Sequence, residues 1–202
     1  MNYKRKFPRC DEEEEEEAEP TEMISRENNH IYFYSDINRD SIYKLIALIR
    51  EAERFCILTG LEISLMEPLP IYLHINSYGG CIHSAFAAID AIAGCRVPVH
   101  SVVEGSTASA GTLISISCNK RYIRKNAYML IHQLSSSCWG KMSEIDDEYK
   151  NITDLMDHVK RIYEERATIS EKKLRKLLKH DLWLDSTVAI ANGLADEIWN
   201  GR

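Results

Sequence analysis

The chain has 202 residues, of which 45% are hydrophobic, and its formal net charge is -6 at pH 7. These values are ordinary for one globular domain, and the acidic balance disfavours sequence-independent binding to nucleic acid, which needs clustered Lys and Arg. No apolar run approaches the roughly 20 residues needed to cross a bilayer, so we expect no membrane helix.

Acidic residues are concentrated near the start of the chain, where Asp11 is followed by Glu12–Glu17 and then by Glu19 and Glu22. We expect residues 1–27 to form a disordered acidic tail and residues 28–202 to form one folded domain. The tail is interpreted as a solvated segment; the alternative is an acidic segment near a pore or docking surface. Because Met1–Lys6 leads into acid and not into an apolar run, we expect neither a secretory signal nor a transit peptide, and a cytoplasmic location.

Strand and helix signals alternate from residue 29 onward. Apolar runs predict strands at His30–Tyr34, Ile71–Ile75 and Val97–Glu104, with another ending at His132. Helices are predicted between them, at Asp40–Cys56, Cys81–Ala93 and Thr112–Cys118. The repetition of strand, turn and helix indicates an α/β fold with mostly parallel strands. Ligands of such sheets bind at the carboxyl ends of the strands, which is where Gly79–Gly80, Ser109 and His132 fall.

One long helix is predicted over Lys141–Thr168, because apolar residues recur there every three or four positions. They are Ile145, Tyr149, Ile152, Met156, Val159 and Tyr163. Such a stripe must be covered, either by the same domain or by another subunit. The six cysteines include no C-x-x-C pair, so we expect neither disulfides nor zinc. Walker and dinucleotide-binding glycine patterns are missing from the sequence too, and we expect no metal and no bound cofactor.

The segment Gly105–Gly111 places Ser109 among small residues where a predicted strand gives way to a helix. Such a turn exposes a hydroxyl beside free backbone N–H groups, which are the two requirements of an acyl-transfer nucleophile. Alone, the motif is better explained by close packing than by catalysis. Further along the chain, however, His132 ends an apolar strand and Asp181 precedes an apolar cluster. Together the three residues form a possible nucleophile, base and orienting carboxylate.

In these motifs the chain resembles the proteolytic subunits of the Clp protease, which share a spiral fold with crotonases. The similarity runs from Ile31 to Trp199, in four ordered motifs that are Ile75–Gly80, Gly105–Gly111, Met129–Gln133 and Asp181–Asp196. It implies a spiral of repeated strand-turn-helix units with a projecting long helix at about 141–168. It also implies that Ser109 is the nucleophile, His132 the general base and Asp181 the residue that orients the histidine. The backbone N–H groups of Gly80 and Ala110 would form the oxyanion hole.

The resemblance further implies a serine endopeptidase that cleaves polypeptides inside stacked seven-membered rings. A separate AAA+ ATPase would feed the chamber, so that ATP is used only by the partner. The chain departs from the family at Tyr78, where proline is usual, and at His180, where arginine is usual, as well as at Ala110 and Leu134. Two alternatives therefore stay open. One is a weakly active or inactive structural subunit, and the other is a different hydrolase on the crotonase fold.

Asp185 competes with Asp181, because both flank the apolar cluster Leu182–Leu184. The register counted back from Asp196 favours Asp181 as the family's catalytic aspartate. Asp185 then falls where a helix begins near Ser186, and a side-chain cap of that helix is sufficient reason for an aspartate there.

Overall fold

The computed structural model describes residues 23–201, so residues 1–22 of the tail predicted for residues 1–27 lie outside the described part. The strands are, in chain order, β1 (Met23–Glu27), β2 (His30–Tyr34), β3 (Ile71–Ser77), β4 (Val99–Ala108), β5 (Lys120–Ile123), β6 (Tyr128–Leu130), β7 (Trp183–Asp185) and β8 (Glu197–Ile198). The helices are α1 (Arg39–Glu62), α2 (Ile82–Ala93), α3 (Ala110–Ile116), α4 (Met142–Arg166), α5 (Glu171–Leu177) and α6 (Ser186–Ala191). The predicted α/β fold is confirmed.

A largely parallel sheet organises the chain, with strand order β1-β2-β3-β4-β5-β8. Only β1 at the edge runs antiparallel to its neighbour in that order. The strand β4 pairs with β5 along its first half and with β6 along its second half, where Ala108 lies opposite Leu130. The strand β6 in turn pairs antiparallel with β7. This divided pairing brings the end of β4 next to the end of β6.

The predicted disordered tail was wrong for its last five residues, because Met23–Glu27 form β1. Ile24 on this strand is buried against the first of two hydrophobic clusters, and the backbone pairs fully with β2. The strand was missed because Ile24 is its only buried side chain, so the sequence shows almost no alternation of apolar and polar residues. The hydrogen-bonded pairing with β2 holds this strand in place, and such pairing cannot be predicted from the five residues of β1 alone.

Two hydrophobic clusters hold the layers together. The first joins β1, β2 and β3 to helices α1 and α2, and the second lies beneath α3, α4 and α5. Helix α4 contributes Val159 and Tyr163 to the second cluster, and the Tyr163 hydroxyl lies 2.5 Å from Thr112 Oγ1 on α3. Thr112 Oγ1 also donates to the Ser109 carbonyl at 2.7 Å. The long helix is thereby tied to the turn that carries the candidate nucleophile.

Candidate active site

Ser109 occupies a strained turn between β4 and α3. Its backbone has φ 53° and ψ -125°, a left-handed conformation that is uncommon for a residue with a Cβ. The Ser109 N–H donates to the Leu130 carbonyl at 2.9 Å, which fixes the turn against β6. The side chain is partly exposed. Strain of this kind at a strand-to-helix turn is typical of an exposed serine nucleophile.

A glycine loop packs directly against this turn. Gly79 has φ 101°, and a Cβ placed on it would lie 2.7 Å from the Ser109 Cβ. Gly80 has φ 139°, and a Cβ there would collide with the Ile37 carbonyl. Ile37 N–H donates to the Gly79 carbonyl, and Cys81 N–H donates to the Ile37 carbonyl, each at 2.7 Å. Both positions therefore require glycine, because the loop backbone lies too close to Ser109 and to Ile37 to leave room for a Cβ atom. The loop is thereby fixed beside the serine.

Two backbone donors near Ser109 have no protein acceptor. Within residues 23–201, neither the Gly80 N–H nor the Ala110 N–H takes part in a hydrogen bond. The Ala110 N–H is free because Ala110 is the first residue of α3, where intrahelical acceptors are missing. Free donors beside a nucleophile are what a developing oxyanion requires.

His132 lies at the same edge of the sheet, two residues after β6. Because Ala108 and Leu130 are paired in parallel strands, Ser109 and His132 leave the sheet side by side. The His132 Nδ1 atom lies 3.5 Å from Asp181 Oδ1, with exposed side-chain fractions of 28% and 78% respectively. The contact is longer than an ordinary hydrogen bond. It nevertheless brings His132 and Asp181 together, and the pairing of β4 with β6 places Ser109 at the same edge of the sheet.

Asp185 has a different environment. Its Oδ1 accepts the Val188 N–H at 2.8 Å at the start of α6. The prediction that Asp185 caps this helix is confirmed, and the side chain is already used for that purpose.

An aromatic groove of about 530 Å³ was not predicted. It is lined by Tyr78, Ser106, Tyr128 and Trp183. The Tyr78 and Trp183 rings meet edge to face, with centroids 6.2 Å apart. Tyr78 precedes the glycine loop and Trp183 lies two residues beyond Asp181, so the groove lies near the candidate site. The sequence signal was Tyr78, which stands where the family usually has proline. Its contact with Trp183 could not be predicted, because it joins segments more than one hundred residues apart.

A charged network surrounds Glu104 on β4. Its carboxylate accepts from Arg124 Nε at 2.9 Å and contacts His74 Nδ1 at 3.1 Å, and it also accepts from the Tyr34 hydroxyl. Burial alone would raise the pKa of Glu104, but these hydrogen bonds outweigh it and lower the pKa to about 2. His74 is buried, and its two ring nitrogens contact His30 and Glu104, so it is a structural histidine.

Among the described residues, no group of three or more His, Cys, Asp or Glu side chains could bind a metal ion. In the same part of the chain, no helix combines the length and apolar character needed to cross a membrane.

Comparison with known proteins gives one consistent family. The Clp protease family model matches residues 22–202. The chain is 31% identical over 147 residues to the ATP-dependent Clp protease proteolytic subunit 2 of Treponema denticola, covering 70% of this chain and 74% of that protein. The protein of the same name from Pseudomonas aeruginosa is 33% identical over 131 residues, which cover 64% of this chain and 65% of the relative. The protein of the same name from Treponema pallidum is 28% identical over 141 residues, which cover 69% of this chain and 71% of the relative.

The family match spans the glycine loop, the Ser109 turn, His132 and Asp181 together, and it confirms the resemblance predicted from the motifs. The chain belongs to the Clp protease family.

Proposed function

We propose that the chain is a serine endopeptidase with Ser109 as nucleophile, His132 as general base and Asp181 as the residue that orients the imidazole. The observation that carries the proposal is the left-handed Ser109 turn, fixed by Leu130 beside the strand that leads to His132. The free N–H groups of Gly80 and Ala110 support an oxyanion hole next to it.

In the proposed reaction, His132 removes the hydroxyl proton as Ser109 Oγ attacks the peptide carbonyl carbon. The carbonyl oxygen becomes an oxyanion that accepts hydrogen bonds from Gly80 and Ala110. The carbon–nitrogen bond then breaks, and His132 gives its proton to the departing amine. Water, deprotonated by His132, attacks the acyl-enzyme and releases the acid, which regenerates Ser109. This sequence needs no metal and no bound cofactor.

We further propose that the chain works as stacked seven-membered rings that receive unfolded polypeptide from an AAA+ ATPase of Clp type. The names of the relatives, which describe proteolytic subunits of an ATP-dependent protease, support this assignment. Helix α4 supports assembly, because Met142, Ile145 and Tyr149 in its first half expose apolar side chains. A partner subunit would cover them.

A second candidate is a weakly active or structural subunit of such a ring. It is favoured by the long His132–Asp181 contact and by the high exposure of Asp181. A crotonase-type hydratase fits less well, because that chemistry uses an oxyanion hole but no Ser-His-Asp set.

The test is intact mass after incubation with a serine-reactive fluorophosphonate. We expect one label per wild-type chain, no label on Ser109→Ala, and labelling slowed by several orders of magnitude in His132→Ala, since triad members act as a unit. Ser25→Ala is the matched control, because Ser25 is an exposed serine on the distant strand β1, and it should be labelled like wild type. Unlabelled assembled wild type would favour the structural subunit.

A further inference from the structure

Helix α5 and the turn after it expose a strongly basic surface. We define the α5 basic surface as the exposed lysines Lys172, Lys173, Lys176 and Lys179. Leu174 and Leu178 on the opposite side are buried in the second hydrophobic cluster, which fixes the lysines toward solvent. Within residues 23–201, none of the four lysines forms an ion pair, whereas Arg175 on the same helix pairs with Glu171 at 2.6 Å.

This surface adjoins the candidate catalytic residues. The Leu178 carbonyl accepts the N–H of Gln133, the residue after His132, at 2.8 Å. Three residues further along, Asp181 contacts His132 itself. Lys179 and His180 therefore lie in the short connection between two contacts with the His132 segment. A polypeptide bound at Ser109 would pass close to this connection.

The charge is local and opposite to that of the molecule. Residues 171–181 contain five Lys or Arg and two Asp or Glu, while the chain as a whole carries -6. One exposed ion pair contributes little, but several unpaired cations along one path produce a potential that attracts carboxylates and is screened by salt. Since the surface borders a site that would act on peptide bonds, its ligand should be a polypeptide and not a nucleic acid.

We propose that the α5 basic surface binds acidic residues of the polypeptide substrate, so that segments rich in Glu or Asp are preferred near the cleaved bond. This inference rests on the proposed function, because it names the substrate class of the same site. The occupant is a segment of substrate; the acidic tract of the chain itself, residues 11–22, is the competing occupant.

The experiment compares three internally quenched peptides with one common central sequence, flanked on both sides by Glu, Gln or Lys. For the wild-type chain at low salt, we expect kcat/KM to be about fivefold higher for the Glu peptide than for the Gln peptide, and lower again for the Lys peptide. The ratio should fall toward one at about 0.5 M salt, because the Debye length is then only a few ångströms.

Charge reversal in Lys176→Glu/Lys179→Glu should abolish the Glu-over-Gln ratio, whereas Lys176→Arg/Lys179→Arg should keep it. The matched control is Lys44→Glu/Arg50→Glu, a reversal of equal size at exposed positions of α1, which should also keep the ratio. Fluorophosphonate labelling verifies that each variant retains a folded site. A ratio near one in the wild type, or a ratio unaffected by reversal on α5, would overturn the inference.

Two further measurements separate the remaining outcomes. If the ratio rises above one only after deletion of residues 1–22, the acidic tract is the occupant and the proposal is wrong. Fluorescence anisotropy of a labelled Glu peptide mixed with the Ser109→Ala variant measures binding in the absence of cleavage. Tight, salt-sensitive binding there would support the surface even if the wild type lacked peptidase activity, so failure of the proposed function and failure of this inference are distinguishable.

Discussion

Asp181 and Asp185 are chemically identical side chains four residues apart, but they contact different groups. Asp181 contacts His132, whereas Asp185 accepts the Val188 N–H and caps α6. From the sequence, Asp181 could be chosen over Asp185 as the candidate catalytic residue only by resemblance to the family. The backbone contact at Asp185 supplies a physical reason that is independent of any relative.

Replacement of Asp181 by Asn should lower kcat by up to about 10⁴-fold, because the amide no longer holds the imidazole in the required tautomer. Asp185→Asn is the matched control and should leave kcat nearly unchanged, since Asn is as good a helix cap as Asp. Steady-state hydrolysis of the Gln peptide measures both. Equal losses in the two variants would show that the chosen carboxylate is wrong.

Glu104 provides a prediction on stability. Its folded-state pKa of about 2 lies well below the ordinary value for a glutamate, so the unfolded chain binds the proton more readily. The contribution of ionised Glu104 to the free energy of unfolding is therefore complete above pH 4.5 and is lost as the pH falls toward 2.

Compared with Glu104→Gln, the wild type should unfold at higher urea concentration at pH 7, and the gap should narrow between pH 4.5 and pH 2.5. Glu51→Gln is a control, because Glu51 is a more exposed carboxylate whose Arg26 contact is 3.5 Å long. A gap that stayed constant with pH would contradict the assigned cause.

At the scale of elements, the long periodic segments were predicted well, as were the short strand His30–Tyr34 and the helix that begins at Ser186, whereas other short elements were missed. The predicted helix over 141–168 forms as Met142–Arg166, and the predicted 40–56 helix extends to Glu62. The strands β5 and β8 were missed because each is held mainly by pairing with distant neighbours. The Ser109 turn could be located from its small residues, but its left-handed backbone and its contact with Leu130 could not, since both depend on where β6 pairs.

Two glycines in different elements should respond oppositely to substitution by alanine. Gly60 lies inside α1 with no heavy atom within 4 Å of a new Cβ, so Gly60→Ala should stabilise the fold by up to about 1 kcal/mol. Gly79→Ala places a Cβ 2.7 Å from the Ser109 Cβ at φ 101°, so it should displace the serine turn. We expect its fluorophosphonate labelling to fall by at least about tenfold. Normal labelling of Gly79→Ala would show that the loop and the turn are not mutually constrained.

At the scale of the whole molecule, α4 divides into two halves. Its second half buries Val159 and Tyr163 in the domain, while Ile145 and Tyr149 in its first half remain 42% and 73% exposed. The sequence predicted one continuous stripe and left open whether the same domain or another subunit covers it. The domain covers only the second half, because the second hydrophobic cluster ends near Met156.

The exposed half of α4 should therefore drive assembly. Ile145→Glu/Tyr149→Glu puts two charges on the apolar stripe and should shift the sedimentation coefficient from that of the assembled particle toward smaller species. The matched control Asn151→Glu adds charge at an exposed polar position of the same helix and should assemble like wild type. Circular dichroism of both variants should stay unchanged, since neither substitution touches Val159 or Tyr163. Full assembly of the doubly charged variant would place the subunit contacts elsewhere, and the exposed stripe would then be free to contact substrate or another protein.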